Sequence, residues 1–360
     1  MSMAMDLKNK KIKVLNFVSG GDNGGVKHCF LHYQKVLQSL VSETVPCVRS
    51  NFPCFEELLQ INPNVEVVRY FRTDFPWLRS LSIKWLRQML MRVQPHAIIT
   101  HKNIDFKLLK LASEGLSIKI IGVLHGYNAS YASYPDALIA VSNGVKAHVA
   151  ESVPSQKIYV VHNPVDFSTI PTRPFELQHP PVLGTMALFK RRKRINDLLR
   201  AAYWLKKDGV PFKMKIAGRS WRLILSYHYQ RWQEKTQDCV EFLPWVKDKV
   251  AFLDSLDIFC LNSRAEAFGM VLTEAMARKK IVVATDCEGP KEIITHGVNG
   301  FLVPKCDPKA FAHQLKNILE GEYDLVQVAE KAYERAQELG FEPFKAKLQG
   351  VLTAVLHEDE

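Results

Sequence analysis

The chain has 360 residues, a formal net charge of +11 at pH 7 and 47% hydrophobic residues. That length suits two domains of ordinary size, and that apolar content supports a core in each and excludes wholesale disorder. Seven scattered cysteines without a Cys-x-x-Cys pair exclude a disulfide framework and a structural zinc, and predict a reducing compartment.

The positive excess predicts an anionic partner: nucleotide, phosphorylated glycan, anionic lipid or nucleic acid. The apolar run at 14–18 follows lysines 8, 10, 11 and 13 and is too short for a signal peptide. No run approaches the ~18 apolar residues of a membrane span. A soluble or peripheral protein is expected.

In chain order, residues 11–18 read as a strand that ends in Ser19-Gly-Gly-Asp-Asn-Gly-Gly25. Glycines in such a turn let the backbone approach a ligand closely. Residues 25–40 have helical spacing. Residues 71–92 carry five cations (72, 79, 84, 87 and 92), one acid, Asp74, and Trp77 and Trp85. That composition suits an interfacial helix on anionic lipid; the same spacing fits an amphipathic helix packed before the next strand, its cations solvated. Further strands are expected at 97–100, 118–124, 137–141 and 158–161. Five prolines between 164 and 181 mark an interdomain linker. Strands resume at 182–184, 213–217, 257–261 and 281–284. Apolar strands alternating with helical stretches predict parallel sheets covered by helices. Two Rossmann-like halves flanking a cleft would place ligands at the carboxyl ends of the strands.

Two segments of the second half carry chemistry. The first is the basic run Lys190-Arg-Arg-Lys-Arg194, which suits a solvated loop, a targeting cluster or a diphosphate clamp. The second is Ser263-Arg-Ala-Glu-Ala-Phe-Gly-Met-Val-Leu-Thr-Glu-Ala-Met-Ala277, which reads as a tight glycine turn followed by an apolar helix. The backbone amides of Phe268, Gly269, Met270, Val271 and Leu272 would open that helix, and a helix amino end attracts phosphate. Glu266 precedes the turn and Glu274 lies inside the helix. Their carboxylates are suited to accept hydrogen bonds from the hydroxyls of a sugar and a ribose on either side of a diphosphate.

The order Ser263, Glu266, Phe268-Gly269, Glu274-Ala-Met-Ala277 resembles the Glu-x7-Glu signature of the retaining glycosyltransferases of family 4. Residues 95–101, Val123-Leu-His-Gly126, 135–142, Val161-His-Asn-Pro-Val-Asp166 and 297–303 resemble further segments of that family. The resemblance implies a GT-B fold: an acceptor-side Rossmann-like domain over 1–168, a linker over 169–181 and a nucleotide-sugar domain over 182–341. A last helix at 342–360 would return to the first domain. It also implies transfer of a hexosyl group, with retention, from a nucleotide sugar, most simply UDP-linked, to a glycan or lipid-linked acceptor such as lipopolysaccharide core. In that scheme His125 and Glu266 are catalytic contacts to the transferred sugar and Glu274 holds the ribose. Gly24 and Gly25 belong to a loop facing phosphate and acceptor, and Lys193 holds the diphosphate. The structural alternative for His125 is an imidazole satisfied by backbone.

The chain departs from the family pattern at Leu188, where an arginine is usual; either Lys190 or Arg191 supplies the missing charge as the second phosphate cation, or the loop is rearranged. Arg278-Lys-Lys-Ile281 replaces a Gly-x-Pro turn, placing cations at a helix carboxyl end, which suits its dipole. No Asp-x-Asp follows a strand, so neither metal nor other cofactor is expected, and no nucleic acid partner. A cytoplasmic enzyme, peripheral at an anionic membrane surface if its acceptor is lipid-linked, is the resulting expectation. The alternatives are a nucleotide-sugar epimerase of the same fold and an inactive basic lipid- or RNA-binding module.

Overall fold

The computed structural model describes residues 7–20, 24–68, 76–167, 175–219 and 223–357. They form two compact units, Met1–Pro164 with Phe341–Glu360, and Val165–Gly340. The first contains β1 (Lys13–Val18), α1 (Gly25–Leu40), β2 (Glu43–Arg49), α2 (Phe55–Ile61), β3 (Glu66–Val68), α3 (Pro76–Val93), β4 (Ala97–Thr100), α4 (Asn103–Ala112), β5 (Lys119–Leu124), β6 (Ala137–Ala140), α5 (Asn143–Ser152) and β7 (Ile158–Val160). Its sheet runs β3-β2-β1-β4-β5-β6-β7, with every neighbouring pair parallel.

Helices cover parallel sheets on both faces, so their strands are apolar throughout; β4 and β6 are buried at every position. Each large apolar side chain moved from water into this sheet contributes about 2 kcal/mol. Strand order reverses between β1 and β4, and such a switch point opens a crevice at the strands' carboxyl ends. The turn after β1 and His101 after β4 therefore share one end of the sheet. Strand β2 was not expected from sequence, because Pro46 lacks a ladder donor. Neighbouring β3 begins its pairing only at Cys47, so one flank carries no ladder at Pro46.

Helix α3 buries Ser82, Leu86, Met89, Leu90 and Val93, one stripe at helical spacing. Trp85 packs partly buried against the same core. Arg87 donates from Nη1 to the carbonyls of Ala112 (3.2 Å) and Glu114 (2.6 Å) at the end of α4. Residues 71–75 and the Trp77 side chain, named in the lipid-surface expectation, lie outside the described residues. Among the described residues, no helix is long and apolar enough to cross a membrane.

The second unit contains β8 (Val182–Leu188), a single 3-10 turn (Arg191–Lys193), α6 (Ile195–Lys207), β9 (Lys213–Arg219), α7 (Ile224–Gln233), β10 (Val240–Leu243), α8 (Lys249–Asp254), β11 (Ile258–Leu261), α9 (Met270–Ala277), β12 (Ile281–Thr285), α10 (Glu288–Ile293), β13 (Phe301–Val303), α11 (Pro308–Leu319) and α12 (Leu325–Gln337). Its parallel sheet runs β10-β9-β8-β11-β12-β13. The switch point lies between β8 and β11, so the basic run and the signature turn leave the sheet side by side. Asp257 fixes the opposite end: Oδ2 accepts from the Val182 N–H at 2.6 Å and Oδ1 from the Gln178 side chain at 3.1 Å. Of the segment expected as a linker, residues 168–174 lie outside the described residues.

The cations after α9 pair with neighbours. Arg278 grips Asp254, and Lys279 reaches Glu330 at 2.6 Å. The final helix, α13 (Phe341–Leu356), belongs to the first unit. There Phe344 meets Tyr33 edge-to-face at 4.9 Å and Phe341 meets His32 at 5.2 Å.

Candidate functional site

At the second unit's switch point the basic run is stitched to the signature turn. The Arg264 N–H donates to the Arg192 carbonyl (2.7 Å), and the Asn262 side-chain amide donates to the Arg194 carbonyl (2.5 Å). Arg194 has left-handed backbone (φ 50°) and forks onto Asp197 at 2.7 and 2.8 Å, which fixes the start of α6. Lys190 and Arg191 are exposed and their side chains have no partner among the described residues. Both remain candidates for the second phosphate cation.

Lys193 and Glu266, expected as separate ligands for phosphate and sugar, meet each other. Lys193 Nζ lies 2.5 Å from Glu266 Oε2, and Ser263 Oγ donates to the same oxygen at 3.3 Å. The two side chains are only 14% and 13% exposed. Burial raises the carboxyl pKa, but the Lys193 ammonium, Arg192 and the Ser263 hydroxyl outweigh it and hold Glu266 below its usual value. Glu266 is therefore an ionised acceptor. Ser263 is anchored in turn, its carbonyl accepting from Thr285 Oγ1 (2.6 Å) and Cys287 Sγ (2.9 Å).

The turn that follows depends on two glycines. Gly269 caps α9 at φ 108°, ψ 54°, a conformation that side chains disfavour. A Cβ on Gly289 would fall 2.5–2.6 Å from the Phe268 backbone, so glycine there lets α10 close on the turn. Phe268 is 2% exposed. The Leu272 amide, expected among those opening the helix, is committed to the Gly269 carbonyl at 2.8 Å. The amides of Met270 and Val271 define the amino end. One turn further, Glu274 Oε1 accepts from Lys249 Nζ at 2.6 Å. Sequence reasoning missed Lys249, whose place at the start of α8 carries no spacing signal.

A cavity of about 700 Å³ opens at the carboxyl ends of β8, β9 and β10, lined by Leu188, Gly218, Arg219, His228, Phe242 and Pro244 among others. Leu188, where the family resemblance expects arginine, has Arg219 as its Cα partner across the β8–β9 pair. Arg219 is exposed. Only the sheet register could have revealed it, since the two residues are far apart in sequence.

The first unit's switch point gathers different groups. Of the glycine turn, residues 21–23 lie outside the described residues. Gly24 is the N-cap of α1 without a side-chain cap bond and Gly25 its first residue. The preceding Ser19 N–H donates to Asp105 Oδ2 at 3.1 Å. His125 follows β5, and its Nε2 lies 3.1 Å from Nδ1 of buried His101, whose Nε2 lies 2.9 Å from Asn16 Oδ1. Cys29 stands within 4.8 Å of both histidines. It donates from Sγ to Asn163 Oδ1 at 2.8 Å, and burial pushes its thiol pKa well up. These donor atoms are thus engaged in hydrogen bonds to side chains. The expectation that His125 lies at a strand end is met; Asn16 and His101 were not singled out as its partners.

The family model described as "Glycosyl transferases group 1" matches residues 168–338, and that described as "Glycosyltransferase Family 4" matches residues 24–169. The chain belongs to the family 4-like glycosyltransferases. It is 29% identical over 214 residues to the lipopolysaccharide 1,6-galactosyltransferase of Salmonella typhimurium, covering 55% of this chain and only 56% of that relative's length. It is 25% identical over 346 residues to the lipopolysaccharide core biosynthesis glycosyltransferase LpsE of Rhizobium meliloti, covering 90% of this chain and 93% of the relative. The crystal structure of Anabaena HepE in complex with UDP and glucose shares the fold, with a TM-score of 0.79 at 18% identity over 95% of this chain and all of the other. The two parallel Rossmann-like units are those of a GT-B glycosyltransferase.

Proposed function

We propose that the protein transfers a hexosyl group, with retention, from a UDP-linked sugar to a glycan or lipid-linked acceptor of the bacterial envelope, such as lipopolysaccharide core. The Lys193–Glu266 pair carries this reading, since it sets a cation and an ionised acceptor beside the amino end of α9. Support comes from the two lipopolysaccharide relatives and from the UDP and glucose bound by the Anabaena neighbour.

The diphosphate is assigned to Lys193, the Met270 and Val271 amides and one of the exposed cations Lys190, Arg191 or Arg219. Glu274, steadied by Lys249, takes the ribose hydroxyls, and the cavity beside Arg219 takes the base. Glu266 accepts from the hydroxyls of the transferred sugar, and His125 is a further contact to that sugar. In the reaction the bond from the anomeric carbon to the phosphate oxygen breaks. The acceptor hydroxyl oxygen bonds to the same face of that carbon, and its proton passes to the departing phosphate oxygen. Fixed cations and amides aimed at the developing charge stabilise that leaving group, so the proposal needs no metal.

Incubation with a panel of radiolabelled nucleotide sugars tests this. Transfer to an envelope glycan, or slow release of free sugar, in the presence of EDTA is expected. Isomerised nucleotide sugar without transfer would identify an epimerase instead, and metal-reversible loss of transfer would refute the metal-free route.

A further inference from the structure

The geometry points to a hydrogen-bonded wire of fixed polarity, running from the Phe30 carbonyl through Asn16 and His101, that holds His125 as the Nε2–H tautomer. His101 is then a positioning residue. The wire stands on distances within the first unit; its consequence for transfer rests on the function proposed above.

The polarity is set at the end that cannot invert. A backbone carbonyl only accepts. The Phe30 carbonyl oxygen lies 3.2 Å from Asn16 Nδ2, and Gln34 Oε1 also lies 3.2 Å from that atom. Gln34 Nε2 in turn lies 2.7 Å from Thr44 Oγ1. Flipping Asn16 would press oxygen against the Phe30 carbonyl, so Nδ2 is the NH2 group and Oδ1 faces the other way. Oδ1 meets His101 Nε2 at 2.9 Å, and that nitrogen must therefore carry hydrogen.

His101 is 2% exposed. Burial, then the nearby His125, hold its pKa well below the usual value, so the ring is neutral and has one hydrogen to give. With that hydrogen on Nε2, Nδ1 offers only a lone pair. It lies 3.1 Å from His125 Nε2, so His125 must donate there. The rings of Phe30 and Tyr33 meet His101 edge-on at 5.5 and 4.9 Å, which opposes rotation of the imidazole.

A histidine in water samples both neutral tautomers. Here the other tautomer would set two lone pairs against each other. His125 consequently has Nδ1 as its basic nitrogen, and a proton arriving there leaves the wire intact. The wire thus serves neutral and protonated His125 alike.

The test is heteronuclear NMR of the full chain carrying isotope-labelled histidine, with His125 assigned by comparison with His125→Gln. At neutral pH the native chain should show His125 protonated on Nε2 with a lone pair on Nδ1. His101→Gln should preserve that state, because its amide oxygen can accept from His125 while its NH2 donates to Asn16. His101→Phe fills the space without an acceptor, and the share of His125 protonated on Nε2 should fall. Transfer should fall about tenfold in kcat in His101→Phe, the equivalent of one ordinary hydrogen bond, and recover in His101→Gln. A native His125 protonated on Nδ1, or a tautomer unchanged in His101→Phe, would overturn the wire. If the tautomers behave as stated while neither His101→Phe nor His125→Gln affects transfer, the sugar contact assigned to His125 fails and the wire stands.

Discussion

Lys193 Nζ and Glu266 Oε2 stand 2.5 Å apart in a pocket that leaves about one seventh of either side chain exposed, 14% and 13%. Each charge is there because of the other. Removing one partner strands its opposite in a poorly hydrated place, whereas removing both removes the problem. Glu266→Gln and Lys193→Met are each expected to destabilise the protein by about 2–3 kcal/mol, and the double variant by less than their sum. Denaturant titration of the four proteins checks this; strict additivity would mean that the pair does not couple. The Glu266 pKa is lowered in the fold. Its stabilisation should therefore be complete above the ordinary carboxyl pKa and vanish as pH falls through the lowered value, and Lys193→Met should flatten that part of the profile.

Ligand discrimination follows from the same pair and its neighbours. Lys193→Ala is expected to weaken a nucleoside diphosphate far more than the nucleoside, because the cation has no partner once phosphate is absent. Glu274→Ala should weaken both, by about 1.5–3 kcal/mol for a charged hydrogen bond. Arg219→Ala should resemble Lys193→Ala if Arg219 supplies the charge that Leu188 lacks. Calorimetry with the two ligands separates these outcomes, and equal losses for both ligands in Lys193→Ala would remove Lys193 from the phosphate.

Much of this arrangement was legible in the sequence, and what was missed shares a cause. Strands such as β4, β6 and β11 are buried throughout and read as unbroken apolar runs. By contrast, β10 is only partly buried and includes exposed Glu241, β13 has three residues, and β2 is interrupted by Pro46. The signature turn was readable because Gly269 and its two glutamates are close in sequence, whereas Gly289, which closes on Phe268, lies outside that segment. The pairing of Lys193 with Glu266, the approach of Lys249 to Glu274 and the apposition of Arg219 to Leu188 arise from strand order and register. No local spacing encodes them.

Asp105 provides a test in the other direction of pH. Burial lifts its carboxyl from 3.8 to about 6, against hydrogen bonds from Ser19 and the nearby Lys102 and Arg49. A raised carboxyl pKa means that the fold prefers the protonated form. Its contribution is fully present below the unfolded pKa and is lost as pH rises through about 6. Stability measured by denaturant should fall by on the order of 2–3 kcal/mol from this group between pH 4 and 7. The difference between the native protein and Asp105→Asn isolates it, and a difference independent of pH would contradict the burial account.

The membrane expectation is narrowed by α3. Residues 1–168 hold 19 Lys or Arg against 12 Asp or Glu. Arg87 is committed to carbonyls at the end of α4 and Trp85 to the core, which favours the packed-helix reading for that part of α3. Exposed Lys84, half-buried Arg79, and exposed Leu81 and Met91 are what a bilayer could meet. Binding to anionic vesicles at low salt, at about 1 kcal/mol per cation near the surface, should weaken when Arg79 and Lys84 become Gln. Sedimentation that shows no preference for anionic over neutral vesicles would leave a soluble acceptor.

The return of α13 to the first unit has a consequence for how the chain is made. Phe341 and Phe344 are the side chains that meet His32 and Tyr33 on α1, yet they are added after every residue of the second unit. A growing chain that folds from its beginning can close the second sheet and its helices while the flank of α1 around Tyr33 is still bare. The first unit to be translated is thus the last to be finished, and until the ribosome delivers residue 344 its aromatic surface is one that a chaperone could hold.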